Sequence, residues 1–310
     1  MKLLFVVDPL AGLKPYKDSS VAMMRAAHAR GHAVHACEAS QLYIRQGDAC
    51  ADCEALDVFP EDTWYQVCGK REWRLADFDA VVMRTDPPVD TDYLLATHLL
   101  TVAEDNGARV LNKPSALRDF NEKLAILNFP QFTAPTLVAA QAVEIEAFLL
   151  EQRDIIVKPL TEMGGTGIFR LAFNDPNRNA ILETLTHRGR RPIMAQRYLP
   201  EISEGDKRIL LIDGEVIPFA LARIPKAGET RGNLAAGGTA RAQPLSDRDR
   251  EIAETLAPWA RERGIFLAGL DVIGDCLTEI NVTSPTGFQE IHAQAGVDVA
   301  ARFIEALERA

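Results

Sequence analysis

Blocks of apolar residues, each the length of one strand or one helix, alternate along the first third of the chain. The predicted order is strand 3–7, helix 19–30, strand 33–37, strand 80–84, helix 93–106 and strand 109–112. Strands that alternate with helices favour an α/β fold with a doubly wound, mainly parallel sheet. Such a sheet binds its ligand beyond the carboxyl ends of its strands, and Asp8, Arg84 and Asn112 lie at those ends.

The pattern changes after residue 114. We predict a helix at 115–127, strands at 155–159, 168–173, 193–197, 208–212 and 215–219, and a last helix that begins near Val297. Asp213-Gly214 is a strong signal for a two-residue hairpin turn. The stretch 224–240 is rich in glycine and has no periodicity, which is typical of a mobile lid or a disordered segment.

Composition narrows the class of protein. A formal net charge of −10 argues against a general nucleic-acid binder, and no apolar run approaches the roughly 20 residues of a membrane span. The first apolar run ends at Asp8-Pro9, so it indicates a strand rather than a signal peptide. Five cysteines, an odd number, do not suggest a disulfide framework. We therefore expect a cytoplasmic protein with reduced thiols, including the Cys50 and Cys53 pair.

Strand residues near the C-terminus carry possible metal ligands. Alternation puts Glu279 and Asn281 on one face of a strand and Ile280 and Val282 on the other. A carboxylate beside an amide oxygen suits Mg²⁺, which takes one or two protein ligands together with nucleotide phosphates. The alternative is an edge strand with a polar face.

A glycine loop follows a strand that ends near a lysine. Backbone N–H groups of Met163-Gly164-Gly165-Thr166-Gly167 can close on phosphate oxygens, and Lys158 supplies positive charge. The loop lacks the Gly-Lys-Ser/Thr of a Walker A motif, and a strand follows it, unlike the helix of a dinucleotide site. A tight hairpin is the alternative.

The predicted hairpin brings charged residues together. A two-residue turn pairs Ile212 with Glu215 and Arg208 with Phe219, which puts Asp206, Arg208 and Arg223 on one face. These residues form either a surface ion-pair patch or an acid for a ribose with arginines for phosphate oxygens.

Arg231, on the glycine-rich stretch, suits a cation that arrives when a lid closes.

Taken together, these motifs resemble prokaryotic glutathione synthetase, a family of the ATP-grasp superfamily. The resemblance extends from Asp8-Pro9 to the C-terminal helix. It rests on Lys17-Asp18-Ser19-Ser20, Met83-Arg84, Asp86-Pro87-Pro88, Asn112-Lys113-Pro114, Asn121-Glu122-Lys123, Lys158-Pro159, Gly205-Asp206-Lys207-Arg208, Leu221-Ala222-Arg223-Ile224-Pro225, 228–238, Gly269-Leu270-Asp271 and 278–286.

The resemblance implies an ATP-dependent ligase that joins γ-glutamylcysteine to glycine through an acyl phosphate, with Mg²⁺ or Mn²⁺ and without nucleic-acid or membrane partners. It implies a homo-oligomer, a tetramer or a dimer. It also implies an N-terminal substrate-binding α/β domain at 1–122, a central lid lobe at 123–198 and a C-terminal catalytic lobe at 199–310, the last two forming an α+β ATP-grasp unit. The alternatives are another ATP-grasp carboxylate–amine ligase, such as one that adds glutamate to a peptide end, and a non-catalytic nucleotide-binding module.

The resemblance also assigns site residues. The expected nucleotide contacts are Lys123, Lys158, Gly164, Gly165, Thr166, Gly167, Gln196, Tyr198, Leu199 and Asp206. The expected catalytic arginines are Arg208, Arg223 and Arg231, the metal ligands are Asp271, Glu279 and Asn281, and the substrate contacts are Ser19, Arg84, Ser284 and Thr286.

Three features remain open at this stage. Thr161-Glu162 stands where members commonly have Asp-Gly, and the stretch 47–70 is less recognisable. A two-residue turn at Gly274-Asp275 would put Asp271 and Glu279 on opposite faces. We therefore predict a three-residue connection or an equivalent bulge, which pairs Asp271 with Glu279 and leaves one face wholly aliphatic.

Overall fold

The computed structural model describes residues 1–226, 232 and 237–310. Its first sheet comprises seven strands, and two helices accompany them. The strands are β1 (Lys2–Val6), β2 (Ala33–Cys37), β3 (Leu42–Arg45), β4 (Asp48–Val58), β5 (Tyr65–Arg74), β6 (Ala80–Met83) and β7 (Val110–Leu111), and the helices are α1 (Ser19–Ala29) and α2 (Thr91–Asp105).

Four strands form the predicted parallel core of this sheet. They run side by side in the order β2-β1-β6-β7, and every pair among them is parallel. The chain leaves β1 for β2 on one side and returns to β6 on the other, so the sheet reverses its order between β1 and β6. Asp8 and Arg84 follow these two strands directly, at the place where such sheets bind ligands.

An antiparallel extension widens the first sheet. β4 pairs with β2 and carries β3 and the long strand β5. These strands cover most of the stretch 47–70, for which the sequence suggested no element.

The second sheet is antiparallel, with the order β10-β9-β11-β8. Its strands are β8 (Thr136–Ala139), β9 (Asp154–Pro159), β10 (Phe169–Ala172) and β11 (Ile193–Arg197), and the helices that pack on it are α4 (Ala142–Gln152) and α5 (Arg178–Leu185). The helix before them in the chain, α3 (Pro114–Asp119), contacts α2 instead. Buried residues of α4 and α5, such as Ile145 and Leu182, pack with Ile155 and Val157 of β9. The sheet therefore has one face covered by helices and one face free to border a cleft.

The predicted helix at 115–127 is wrong. α3 ends at Asp119, and a separate 3₁₀ turn spans Leu124–Asn128. The Asn121 side-chain oxygen accepts the backbone N–H groups of Lys123 and Leu124, each at 3.1 Å. This local side-chain turn replaces the helical hydrogen bonds.

The third sheet carries most of the charged residues singled out above. Its strands are β12 (Asp206–Ile212), β13 (Glu215–Val216), β14 (Phe219–Ile224), β15 (Thr239–Pro244), β16 (Leu267–Ile273) and β17 (Cys276–Asn281), followed or interrupted by α6 (Asp247–Glu262), α7 (Phe288–Ala295) and α8 (Val299–Arg309). The order is β15-β14-β12-β16-β17, with β13 on β12. Of the predicted loop at 224–240, residues 239 and 240 belong to β15, and 227–231 and 233–236 lie outside the described residues.

The Asp213-Gly214 turn forms as predicted, but the register beyond it differs. Positive φ angles of 48° and 78° at the two turn residues leave Ile212 opposite Glu215. Arg208 then pairs with Leu221, not with Phe219. Pro218, which has no N–H to donate, separates β13 from β14 and allows the two-residue slip.

The register of the next hairpin agrees with the prediction. A tight turn pairs Ile273 with Cys276 and Val272 with Leu277, and the register then shifts so that Asp271 faces Glu279. Thr278 is the extra residue of this bulge. The predicted bulge is therefore confirmed, and Leu270, Val272, Ile280 and Val282 form the expected aliphatic face, each with no accessible surface.

The last helix returns to the first sheet. Phe303, Ile304 and Leu307 of α8 belong to the same buried cluster as Leu3 and Phe5 of β1. A salt bridge of 2.5 Å between Arg30 and Glu308 joins the end of α1 to α8. No helix among the described residues is both long enough and apolar enough to cross a membrane.

Candidate active site

A cleft lies between the free face of the second sheet and the charged face of the third. Its cavity volume is about 190 Å³. Its lining includes twelve of the residues expected at the site, which are Lys158, Gly164, Gly165, Gln196, Tyr198, Leu199, Asp206, Arg208, Arg223, Asp271, Glu279 and Asn281.

One end of the cleft is largely apolar. Ile156, Ile202 and Ile273 line it, together with Ala134 and Leu199. Beside them Gln196 is 5% exposed, and its amide donates to the Thr136 hydroxyl at 3.0 Å. Apolar walls beside one buried amide suit a planar heterocycle, whose faces need apolar contact and whose edge needs hydrogen bonds.

Two buried lysines share the Glu279 carboxylate of the cleft wall. Lys123 and Lys158 are 6% and 4% exposed, and their Nζ atoms lie 3.8 and 3.7 Å from the Glu279 carboxylate. Lys158 also donates to the Thr278 carbonyl at 3.2 Å, and Lys123 to the Glu162 carbonyl at 2.6 Å. Burial lowers the pKa of Lys158, although Glu279 acts against this shift. Two cations that share one carboxylate retain attraction for a further anion.

The glycine loop lies next to these lysines. Gly164, Gly165 and Gly167 have φ angles of 64°, 81° and 70°, a region that favours glycine. A Cβ at position 167 would lie 2.8 Å from the Pro159 ring. The loop therefore packs closely against the end of β9, next to Lys158.

An ion-pair network occupies the other end. Arg208 donates from Nε and Nη2 to the two oxygens of Asp271, at 2.5 and 3.0 Å, and Arg223 Nη2 lies 2.8 Å from Asp271 and 2.5 Å from Asp206. A Cβ on Gly269 would lie 2.7 Å from Arg208 Cδ, so the glycine lets Arg208 lie across β16 to reach Asp271. The two-residue slip in the hairpin preserves the predicted common face of Asp206, Arg208 and Arg223, because faces alternate with a period of two.

The network strongly perturbs its carboxyl groups. Burial acts to raise the pKa of Asp271, but Arg208 and Arg223 outweigh it and hold that pKa well below its ordinary value. Burial raises the pKa of Asp206 to about 6 in spite of Arg223. The two arginines therefore favour the ionised form of Asp271.

The expected metal ligands meet at the same place. Asp271 and Glu279 face each other across β16 and β17, and the Asn281 amide lies 3.1 Å from Asp271. No three His, Cys, Asp or Glu side chains cluster as a metal site within the described ranges. Two carboxylates and one amide are the open, hard-oxygen set that Mg²⁺ takes when phosphates complete its shell, so these residues fit a divalent cation.

A second polar cluster joins the first sheet to the turn after β17. Arg84 donates to the Ser20 hydroxyl at 3.0 Å and to the Pro285 carbonyl at 3.1 Å, and Ser284 donates to Asp86 at 2.5 Å. Ser19 is fully buried at the start of α1, with its hydroxyl 3.4 Å from the Phe288 N–H, whereas Thr286 is exposed.

Several contributors were not named as site residues from the sequence. The Thr278 carbonyl and the apolar wall of Ile156, Ile202 and Ile273 belong to no recognisable sequence motif, so no signal in the sequence pointed to them. Glu122 and Asp86 belong to motifs quoted for the resemblance, which is the signal that could have found them. Arg231 lies outside the described residues.

Comparison with known proteins decides the family. The model for the N-terminal domain of prokaryotic glutathione synthetase matches residues 1–118, and the model for its ATP-grasp domain matches residues 122–296. The chain belongs to the prokaryotic glutathione synthetase family. It is therefore an ATP-dependent ligase that forms glutathione, and it uses ATP with a divalent metal ion.

Named relatives cover the whole chain. It is 58% identical to the glutathione synthetase of Neisseria meningitidis serogroup A over 99% of this chain and 98% of that protein. It is 56% identical to the glutathione synthetase of Ralstonia nicotianae over 100% of this chain and 96% of the relative.

Solved structures share the fold at low identity. D-cycloserine synthetase DcsG aligns with a TM-score of 0.70 at 16% identity, over 99% of both chains. The ATP-grasp ligase PsnB, solved with a minimal precursor, Mg and ADP, aligns with a TM-score of 0.63 at 18% identity, over 99% of this chain and 97% of PsnB. The enzyme therefore has an ATP-grasp fold.

Proposed function

We propose that the enzyme activates the cysteinyl carboxylate of γ-glutamylcysteine with ATP and passes the acyl group to glycine. A carboxylate oxygen bonds to the γ-phosphorus while the bond to the β-phosphate oxygen breaks, which releases ADP. The glycine nitrogen then bonds to the acyl carbon, loses a proton, and expels inorganic phosphate with the acyl oxygen. The observation that carries this proposal is the gathering of Lys123, Lys158, Arg208 and Arg223 around Asp271 and Glu279 in one cleft.

The nucleotide would lie along the cleft from its apolar end. Gln196, Tyr198 and Leu199 would contact the adenine, and Asp206 the ribose. The phosphates would lie on Lys123 and Lys158 and under the loop Gly164, Gly165, Thr166 and Gly167. The burial of both lysines supports this role, because a desolvated ammonium attracts an anion more strongly than one in water.

Arg208 and Arg223 would hold the phosphate oxygens and the tetrahedral oxyanion. Both are nearly fixed before substrate arrives, through their hydrogen bonds to Asp271, and preorganised donors need no reorientation during the reaction. Arg231 is proposed to join them on closure.

Asp271, Glu279 and Asn281 would hold Mg²⁺ or, in its place, Mn²⁺. When bound, the ion neutralises phosphate charge and orients the γ-phosphate. Asp271 would stay paired with the arginines, and Ser19, Arg84, Ser284 and Thr286 would contact the dipeptide.

Further proposals concern the division into lobes, the cellular location, the oligomeric state and the partners. We propose three lobes at 1–122, 123–198 and 199–310, a cytoplasmic location and a homo-oligomer, a dimer or tetramer, with no nucleic-acid or membrane partner. The three separate sheets support the division into lobes, and five free cysteines support a reducing compartment.

Two assays test the reaction. ADP release with γ-glutamylcysteine should depend on glycine, and a panel of other amines should replace glycine poorly. Hydroxylamine in place of glycine should trap the acyl phosphate as a hydroxamate. Glycine-dependent ADP release without any hydroxamate would reject the acyl-phosphate route, and the absence of glycine-dependent release would reject the ligation itself.

A further inference from the structure

A hydroxyl and an amide on the cleft face of the second sheet form a short series of hydrogen bonds. Thr136 of β8 lies directly opposite Gln196 of β11, and Ile156 of β9 lies opposite Gln196 on its other side. Directly opposed residues share a face, and Ile156 and Gln196 both line the cleft. The Gln196 amide donates to the Thr136 hydroxyl at 3.0 Å, and that hydroxyl donates to the Ala134 carbonyl at 2.7 Å. The series therefore runs from an amide on the cleft wall to a backbone carbonyl.

The carbonyl at the end of this series decides the direction of both hydrogen bonds. A carbonyl oxygen only accepts, so the single proton of the Thr136 hydroxyl is committed to Ala134. The hydroxyl oxygen can then only accept from Gln196, and only the amide nitrogen Nε2 can donate to it. An inverted amide would bring its oxygen Oε1 against an oxygen whose proton is already used. Thr136 therefore fixes which end of the Gln196 amide faces it.

The opposite end of the amide is left for a ligand. Gln196 is 5% exposed and borders the apolar end of the cleft. No donor in the described part of the chain reaches Oε1, and this oxygen is not among the described buried atoms without a partner. It therefore retains accessible surface, and the surface that Gln196 borders is that of the cleft. A fixed acceptor beside apolar walls selects a heterocycle whose edge carries a donor.

We propose that Thr136 is a positioning residue for base selection, an inference that rests on the nucleotide placement of the proposed function. Together with the Ala134 carbonyl, Thr136 holds the Gln196 amide so that an acceptor, and not a donor, faces the base. A 6-amino purine then donates to Oε1, whereas a 6-oxo purine puts oxygen against oxygen. Thr136 acts through Gln196 and requires no contact of its own with the nucleotide.

Three nucleotides that differ at C6 of the purine report the orientation of the amide. ATP carries an amino group there, purine riboside triphosphate a hydrogen, and inosine triphosphate an oxo group. With saturating γ-glutamylcysteine, glycine and Mg²⁺, kcat/KM is measured by phosphate release, which is common to all three. The wild-type enzyme should prefer ATP to purine riboside triphosphate by about tenfold, because the latter leaves a buried acceptor unpaired. It should prefer purine riboside triphosphate to inosine triphosphate by about tenfold again, because the oxo group opposes two acceptors.

Replacement of Thr136 by valine should relax this order. Thr136→Val removes the hydroxyl and keeps a β-branched side chain that suits a strand. The amide can then invert and donate Nε2 to a 6-oxo group, so inosine triphosphate should gain about tenfold relative to purine riboside triphosphate. Inosine triphosphate also carries a hydrogen on N1, but this difference is the same in every variant and cannot cause the gain.

Two further variants serve as controls. Thr136→Ser keeps the hydroxyl and should keep the wild-type order of the three nucleotides. Thr133→Val is the matched control, because the Thr133 hydroxyl also donates to a backbone carbonyl, that of Pro130 at 3.3 Å, and forms no hydrogen bond with Gln196. It should leave the nucleotide ratios unchanged.

Three results would overturn the assignment. In the first, the wild-type enzyme does not distinguish purine riboside triphosphate from inosine triphosphate, so that no acceptor faces C6. In the second, Thr136→Val lowers kcat/KM equally for all three nucleotides, as a loss of packing would. In the third, Thr136→Ser loses the discrimination as fully as Thr136→Val, so that the hydroxyl is not its cause. If Thr136→Val does not fold, Thr136→Ala removes the same hydroxyl and gives the same comparison. Glycine-dependent turnover of ATP by the wild-type enzyme tests the proposed function and does not depend on these ratios.

Discussion

Replacement of Gly167 by alanine tests whether the glycine loop is a fitted part of the nucleotide site. Position 167 has a φ of 70°, and an added Cβ would lie 2.8 and 3.2 Å from Pro159 Cγ and Cδ. A proline ring at the end of a strand cannot rotate away as a flexible side chain can. The substitution therefore has two costs, one in the backbone and one in packing.

The magnitude follows from these two costs. A non-glycine residue in the left-handed region costs about 1–2 kcal/mol, and overpacking adds about 1–3 kcal/mol. The loop avoids both costs if it moves away from β9 while the sheets stay folded. The substitution should therefore mainly weaken the binding of ATP. A cost of about 2 kcal/mol corresponds to roughly 30-fold weaker affinity.

The assay is the Kd of ATP, measured by calorimetry with Mg²⁺ present, beside the free energy of unfolding in denaturant. We expect a Kd about 10- to 100-fold higher for Gly167→Ala, with a smaller change in stability. Gly69→Ala is the control, because an added Cβ there meets no atom within 4 Å and the backbone is not left-handed. A folded Gly167→Ala enzyme that binds ATP within twofold of wild type would refute the reasoning.

Three further predictions concern charged residues. Asp271→Asn should raise the Mg²⁺ concentration needed for half-maximal turnover by at least about tenfold, since it removes a proposed ligand; an unchanged requirement would remove Asp271 from the site. Glu122→Ala should lower the free energy of unfolding by about 2–4 kcal/mol, because the carboxylate accepts two backbone N–H groups and one hydroxyl from residues 282 and 283. Glu122→Gln keeps an acceptor oxygen and should retain most of the wild-type stability. Equal losses of stability in the two variants would contradict this account. Hydrogen bonds from Arg30, and to a lesser extent from His32, lower the pKa of Glu308 from 4.5 to about 2. The stabilisation of the folded state by this carboxylate is therefore present above pH 4.5 and is lost as the pH falls towards 2. The Tm difference between wild type and Glu308→Gln should shrink over that range, and a constant difference would count against the pairing.

The parallel core of the first sheet was predictable because its strands are continuous apolar runs. Leu3, Leu4 and Phe5 have no accessible surface, which is the condition that produces such runs. β5 was not predictable in this way, since nearly all of its residues are exposed. An edge strand that packs little has no burial to impose a pattern on its sequence.

Local patterns also failed where a side chain competes with the backbone. Residues 115–127 have helical spacing, yet Asn121 captures two N–H groups that a helix would use. The wrong pairing predicted for Arg208 also arises from one residue. Pro218 has no N–H to donate to the hydrogen-bond ladder between β12 and the returning strand, and how the ladder adjusts to it depends on the neighbouring strand. The shared face of the charged residues was nevertheless predicted correctly, because a slip of two residues leaves every side chain on its original face.

The bulge at Thr278 links the register of the hairpin to the chemistry of the cleft. Without the extra residue, Asp271 would face away from Glu279, and the aliphatic face of β16 and β17 would be mixed with charge. The same residue turns its carbonyl to Lys158 at 3.2 Å and its hydroxyl to the Asp271 carbonyl at 3.1 Å. The sequence predicts the bulge through its hydrophobic pattern but does not reveal these contacts, because they join residues 120 and 7 positions apart. A buried lysine needs partners before any phosphate arrives, and the bulge adds the Thr278 carbonyl to the Glu279 carboxylate, which lies 3.7 Å from Lys158 Nζ. The irregularity that aligns the proposed metal ligands therefore also keeps Lys158 in place beside them.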